Sequence, residues 1–315
     1  MTFQSYQLAQ RAQDLYAAFE VVMQKYEEAG PGSDWSDVRK ECTDRINNLY
    51  TDWLDLPDPD SFGWYTDELL TAMGNLSPST FATNTSGGGA SSTQTGNSHL
   101  SLVQSSGDLM QNWSGSGADA YNKNFADKFP GDTASQFAIY DIMRNSVNAE
   151  AAVWQTTLDD LDKLSQQAID AMKACAHKSQ GDWKNVISVI GAVVAVAGAI
   201  PTDGASLGAF LTWDMAAAGV TVVSTGMDLV GSAGDTDEKG MANHTMWDVL
   251  DSVEDRLKTI KSWIKTHEAT IVKQVQSTID AIPGAPYTGW IIPEPSWASH
   301  PSQVGSGTGL GHPQP

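Results

Sequence analysis

Basic residues are scarce in this chain. Its 315 residues carry 18 Lys and Arg against 38 Asp and Glu, a formal charge of −20 at pH 7. Binding nucleic acid needs clustered Lys and Arg to neutralise phosphates, and no such cluster occurs, so nucleic acid is not expected as a partner. Charge-driven docking to anionic lipid is disfavoured on the same ground. What the acidity supplies is solubility and self-repulsion. Cysteine is scarcer still. Cys42 and Cys175 can frame no disulfide scaffold and have no zinc-ligand spacing. The start, Met1 to Gln7, has no basic n-region, apolar h-region or cleavage site, so export by a Sec signal peptide is not expected.

Motifs of catalysis are also missing. The histidines are His99, His177, His244, His267, His300 and His312. His267-Glu268 is not followed by a second His at metalloprotease spacing. No nucleophile elbow, phosphate loop or catalytic Cys/His pair can be assembled. The chain is therefore expected to be non-enzymatic, without cofactor or metal, and His267 to be a packed or half-exposed residue of a helix.

What the chain has is helical periodicity, over a length that can bury one large core or two modest ones. Leu8, Ala12, Leu15, Phe19, Val22 and Tyr26 recur in steps of three and four, the stripe of an amphipathic helix. Ala29-Gly30-Pro31-Gly32-Ser33 breaks it, and Ser33 or Asp34 can cap the next helix. That helix carries Val38, Cys42, Ile46, Leu49, Trp53 and Leu56 and ends at Pro57-Asp58-Pro59-Asp60. Residues 1–60 thus read as an N-terminal helical hairpin. A shorter helix over about Ser61 to Leu76 holds Trp64, Leu69, Leu70 and Met73. Thr80 to Asn97 is rich in Ser, Thr and Gly without apolar period, which predicts a flexible loop over 80–97. Ser98 to Asn112 reads as a weak helix.

Trp113-Ser114-Gly115 follows, leading into Ser116-Gly117-Ala118-Asp119-Ala120-Tyr121. A bulky indole, one spacer and a glycine make a sharp turn between antiparallel helices, since glycine allows φ > 0. Ser116 can cap the next helix, with Asp119 at the capping-box position. That helix runs to about His177, interrupted near Pro130-Gly131. Its seam is Tyr140, Met143, Val147, Ala151, Trp154, Leu158, Leu161, Ala168, Met172 and Cys175, with Ser165 the polar member. This pattern predicts sustained coiled-coil-like packing.

A helical hairpin over 61–178 with Trp-X-Gly at its bend resembles the WXG-100 superfamily, helical-hairpin substrates of Gram-positive type VII (ESX) secretion. The added N-terminal hairpin and C-terminal extension are similar to larger secreted members from actinobacteria, in mycobacterial and streptomycete systems. The resemblance implies that Trp113 and Gly115 form part of a recognition surface for the secretion machinery. In such substrates the turn works with a Tyr-X-X-X-Asp/Glu motif, whose nearest match here is Tyr16 to Glu20. The motif lies in the first helix rather than in a tail after a hairpin. The plain alternatives are a turn with an aromatic plug, and i,i+4 neighbours on a helix surface. The resemblance further implies a cytoplasmic protein before export and a secreted or cell-surface one afterwards. Its partners would be the type VII secretion machinery and either itself, as a homo-oligomer, or another helical protein. Cys42 and Cys175 both fall on apolar stripes, where a small core residue is the default. Export, with the two helices facing each other, would open the way to a Cys42–Cys175 disulfide.

Residues 179–282 read as an apolar Gly/Ala-rich hairpin plus a long helix. Val186 to Ile200 has no charge, and Leu207 to Val230 is interrupted by Asp214 and Asp228. A spanning helix needs about 20 apolar residues. The first half falls short, and Asp214 in hydrocarbon would cost about 2.5–3.5 kcal/mol. The 183–230 hairpin is therefore expected inside the bundle, with Gly191/Gly198 and Gly219/Gly226 allowing close backbone approach. The alternative is a membrane-perturbing, pore-forming effector that uses this hairpin. The last helix carries the stripe Met246, Leu250, Val253, Leu257, Ile260, Ile264, His267, Ile271 and Val275.

The expected fold is all-α, an elongated bundle of long antiparallel helical hairpins with coiled-coil-like packing and no strand. The expected function is helix-face docking by a protein exported without a Sec signal. Residues 283–315 are rich in Pro, Gly and Ser and are expected to be extended or disordered. Truncation at about Gly284 should then leave the thermal midpoint nearly unchanged, as measured by circular dichroism. A large fall would mean that Trp290, Ile291, Ile292 and Trp297 pack back on the helices.

Overall fold

A computed structural model describes residues 3–29, 34–83, 92–109, 114–177, 246–280 and 282. Trp113, the apolar 183–230 hairpin and the tail from Pro283 lie outside the described residues. The described chain is all-α. Its helices are α1 (Gln7–Ala29), α2 (Ser36–Asn48), α3 (Phe62–Leu76), α4 (Leu100–Leu109), α5 (Ser116–Tyr121), α6 (Phe129–His177) and α7 (Met246–Asp280). Short 3₁₀ turns at Thr51–Trp53 and Pro59–Ser61 join α2 to α3, and one antiparallel ladder pairs β1 (Phe81–Thr83) with β2 (Ser92–Gln94). The described residues divide into two compact units. One takes its residues from 3–62, 150–177 and 246–270, the other from 63–149 and 271–282.

In the first unit the predicted stripes are buried. Leu8, Leu15, Phe19 and Val22 of α1 and Cys42 and Ile46 of α2 are at or near zero exposure. The N-cap of α2 is Trp35 rather than Asp34, and it makes no side-chain cap bond; Asp34, one residue earlier, accepts the Ser36 N–H on its Oδ1 at 3.0 Å. From α7, Met246, Leu250, Val253, Leu257, Ile260, Ile264 and His267 are all buried. The cross-helix contacts give the directions. Ser5 Oγ donates to the Leu54 carbonyl and the Tyr26 and Trp35 rings meet at 5.5 Å, so α1 and α2 run antiparallel. Arg11 reaches Asp162 and Gln166 while Lys25 donates to the Ala176 carbonyl, so α1 and α6 run parallel. Arg45 reaches Asp251 and Glu254 while Lys261 reaches Asp52, so α2 and α7 also run parallel. The antiparallel relation expected throughout thus holds within the first hairpin, and each of its helices has a parallel neighbour from far along the chain.

The second unit is built around α3, the ladder and the start of α6. Met73, Phe81, Ala134 and Phe137 form one cluster, flanked by Leu70, Leu76 and Tyr140, with the Phe81 and Phe137 rings edge to face at 5.2 Å. Ala138, Ile142 and Ile282 form another, with Ile139, Val275 and Ile279 against it. The ladder corrects the expectation of no strand. Phe81 pairs with Gln94 and Thr83 with Ser92, at the two ends of the segment that composition assigns to a flexible loop. Asn97 N–H donates to Ser77 O at 2.6 Å and Ser77 Oγ to Ser79 O at 2.7 Å. Gly96 lies so close to this turn that a Cβ there would strike the Ser79 carbonyl oxygen. Three-residue strands are too short to show alternation, and their anchor is a single buried Phe81.

Helix α6 departs from its predicted seam near its start. Pro130 sits in its first turn, where a missing N–H costs nothing, so the interruption falls just ahead of Phe129. Met143 is 45 % exposed, and the buried line instead runs through Ala138, Asp141, Ile142, Asn145 and Ala149. Asp141 and Arg144, both buried, stand 4.0 Å apart. Polar residues on the inward face hide the stripe from a hydropathy reading. From Leu158 to Met172 the predicted seam holds, with Leu158, Leu161, Ser165, Ala168 and Met172 buried, while Cys175 at its end is half-buried.

Asp160 is a further buried acid on this helix, 2 % exposed, and burial pushes its carboxyl up to about 6 despite Lys163. A carboxyl whose folded value lies above its unfolded one binds more protons when folded. Stability is then lost as pH rises from about 4 to about 6. Asp160→Asn should raise the thermal midpoint at pH 7, by the equivalent of about 2–3 kcal/mol, and flatten the pH dependence across that window. Thermal melts at pH 4 and pH 7 check this.

Candidate functional site

The start of α5 is set by a backbone constraint. Gly115 stands at the N-cap of α5 with φ +109° and ψ 175°, the one positive-φ glycine among the described residues. Side chains other than hydrogen rarely adopt this conformation. Its carbonyl accepts the Asp119 N–H at 3.0 Å and so opens the helix. The cap therefore falls on Gly115, not on Ser116, which is the first helical residue. Asp119 still lies in the first turn, where the helix dipole favours an anion. Ser106 Oγ of α4 and Tyr121 Oη of α5 are 3.2 Å apart. Tyr121, Phe125 and Phe129 step along one face, with ring centroids 5.3 and 5.6 Å apart. A single π-helical turn at Asn122–Ala126 carries this row into α6.

Tyr16 and Glu20 are brought together, but at the seam of the first hairpin. Glu20 and Glu27 of α1 both bind the guanidinium of Arg39 on α2, the Glu27 contact at 2.7 Å. The Tyr16 phenol is held above its ordinary value, chiefly by hydrogen bonding to Glu20 and then by burial. Its ring tilts against Phe19 at 6.2 Å. The spacing that suggests a recognition motif here also places two side chains against the partner helix.

Neither Cys42 nor Cys175 is in a disulfide. Cys42 is buried, and desolvation pushes its thiol up to about 11. Cys175 lies beside Tyr26, which burial holds above its ordinary value. His267 is packed, 6 % exposed, with its ring 4.1 Å from that of Trp263 and Nδ1 2.8 Å from the Trp263 carbonyl. Among the described residues no group of three or more His, Cys, Asp or Glu is placed to hold a metal ion. No described helix is long and apolar enough to cross a membrane.

An open cleft of about 620 Å³ lies between α2 and the first half of α7, over Leu49, Trp53 and Leu257. Its walls are charged and mostly paired. Arg45 reaches Asp251 at 2.6 Å and Glu254 at 2.8 Å, with its guanidinium 5.7 Å from the Trp247 ring centre. Its lining contains no His, Cys, Ser or Thr, so the chemistry on offer is ionic contact. The sequence shows the charges of this cleft but not their pairing, because Arg45 and Asp251 are 206 residues apart. Compared with known proteins, the chain matches no family model, no curated protein and no solved structure.

The Gly115 geometry has a direct consequence. A Cβ there meets nothing within 4 Å, so Gly115→Ala acts through backbone strain alone. It should destabilise the protein by about 1–3 kcal/mol, read from urea denaturation followed by circular dichroism. Asn should give little relief, because ψ near 175° lies outside the left-handed helical region that Asn tolerates.

Proposed function

We propose that this chain is a non-enzymatic helical protein exported by a type VII pathway, which works by docking its helix faces to itself or to a helical partner. It would be cytoplasmic before export and would act at the cell surface or outside. The observation that carries the reading is Gly115 at the N-cap of α5, the last residue of the sequence Trp113-Ser114-Gly115. It stands at φ +109°, with the 49-residue α6 downstream. Long amphipathic helices supply the means of docking, since a helix of this kind can lay a face on another helix. In this reading the Trp113-Ser114-Gly115 segment, rather than Tyr16 and Glu20, is what the secretion machinery contacts, because Glu20 is already engaged by Arg39.

Trp113→Ala tests it. The variant should keep its helicity by circular dichroism and lose export in a secretion assay in the producing bacterium. Normal export of a well-expressed variant would remove the role in secretion. Loss of helicity would reduce Trp113 to a structural plug.

A further inference from the structure

The outer face of α3 carries a feature that the export reading does not use. Trp64 and Tyr65 are 62 % and 52 % exposed, with their rings edge to face and centroids 4.6 Å apart at 71°. The core of this unit takes Leu70, Met73 and Leu76 from the later turns of the helix. Trp64 and Tyr65, near its start, stay outside that cluster and exposed. Helical spacing sets Glu68 one turn beyond Trp64 and Asp67 beside it. Both acids are exposed, and among the described residues neither is in an ion pair. The sequence has no Lys or Arg from Gly63 through Asn122, so this stretch supplies no cation of its own to this face.

Two adjacent exposed aromatics are the side chains that most often anchor a partner. Ring faces attract Lys and Arg directly, and the aliphatic stems of those residues lie well on indole and phenol. Carboxylates one turn away add charge complementarity. We propose that this face of α3 docks a Lys/Arg-bearing amphipathic helix of another protein. A second copy of this chain is a poor occupant, since each copy carries −20 and would present the same acidic face. The proposal holds whether or not the chain is exported, so its failure and that of the export reading are separate.

The test uses the full chain and a labelled Leu/Lys amphipathic helical peptide of about 18 residues, about five turns, followed by fluorescence anisotropy. Trp64→Ala with Tyr65→Ala should weaken binding at least about tenfold, while Trp64→Phe with Tyr65→Phe should largely retain it. Asp67→Asn with Glu68→Gln should weaken binding and reduce its salt dependence. The same loss of charge in the other unit, Asp37→Asn with Glu41→Gln, should leave it unchanged. If the alanine pair lost helicity by circular dichroism, the two charge-neutralised variants would decide. Equal binding by the alanine pair would overturn the proposal, as would absence of binding by the unmodified chain. A dimer in sedimentation velocity that the alanine pair abolishes would also overturn it, by assigning the face to a second copy.

Discussion

An acidic chain that folds by pressing helices together must keep carboxylates from meeting where the helices touch. In the first unit Arg11, Arg39 and Arg45, three of the chain's five arginines, do this. Each of the three binds acceptors on a neighbouring helix, Arg39 and Arg45 two carboxylates each and Arg11 a carboxylate and an amide. Partly exposed pairs of this kind contribute at most about 1 kcal/mol apiece. A buried Leu or Phe contributes about 1.5–3 kcal/mol, and the stripes of α1 and α7 bury many. The apolar stripes therefore supply the stability, and the arginines select which faces meet.

The stripes were legible in the sequence because they obey a simple rule. Residues three and four apart on an amphipathic helix share a face, and α7 follows this without a fault from Met246 to Ile271. The start of α6 was not legible, since Asp141 and Asn145 face inward and polar residues there break the pattern that hydropathy detects. The ladder was not legible either. Its strands are three residues long, and the Gly96 contact that seats them is between backbone atoms, which leave no mark on composition.

The candidate site divides along the same line. A glycine with positive φ after Trp-X was readable, because only a few residue types suit such a turn. Its role as the cap itself, in place of Ser116, depends on backbone angles. Tyr16 and Glu20 show the reverse. Their spacing was plain, but the residue that engages Glu20 is Arg39, on the other helix of the hairpin. The exposure of Trp64 and Tyr65 was hidden too, since aromatics at the start of a helix are more often core.

The parallel pairing of α1 with α6 and of α2 with α7 bears on the order of assembly. Arg11 and Asp162 are 151 residues apart in sequence, and Arg45 and Asp251 are 206. Contacts of that separation close large loops and form late. At a synthesis rate of about 5–20 residues per second, α2 emerges roughly 10–40 seconds before the residues of α7 that will cover it. During that interval the first hairpin is a nascent chain with uncovered apolar stripes. It is then most exposed to capture, whether by a chaperone or by another helix that reaches it first.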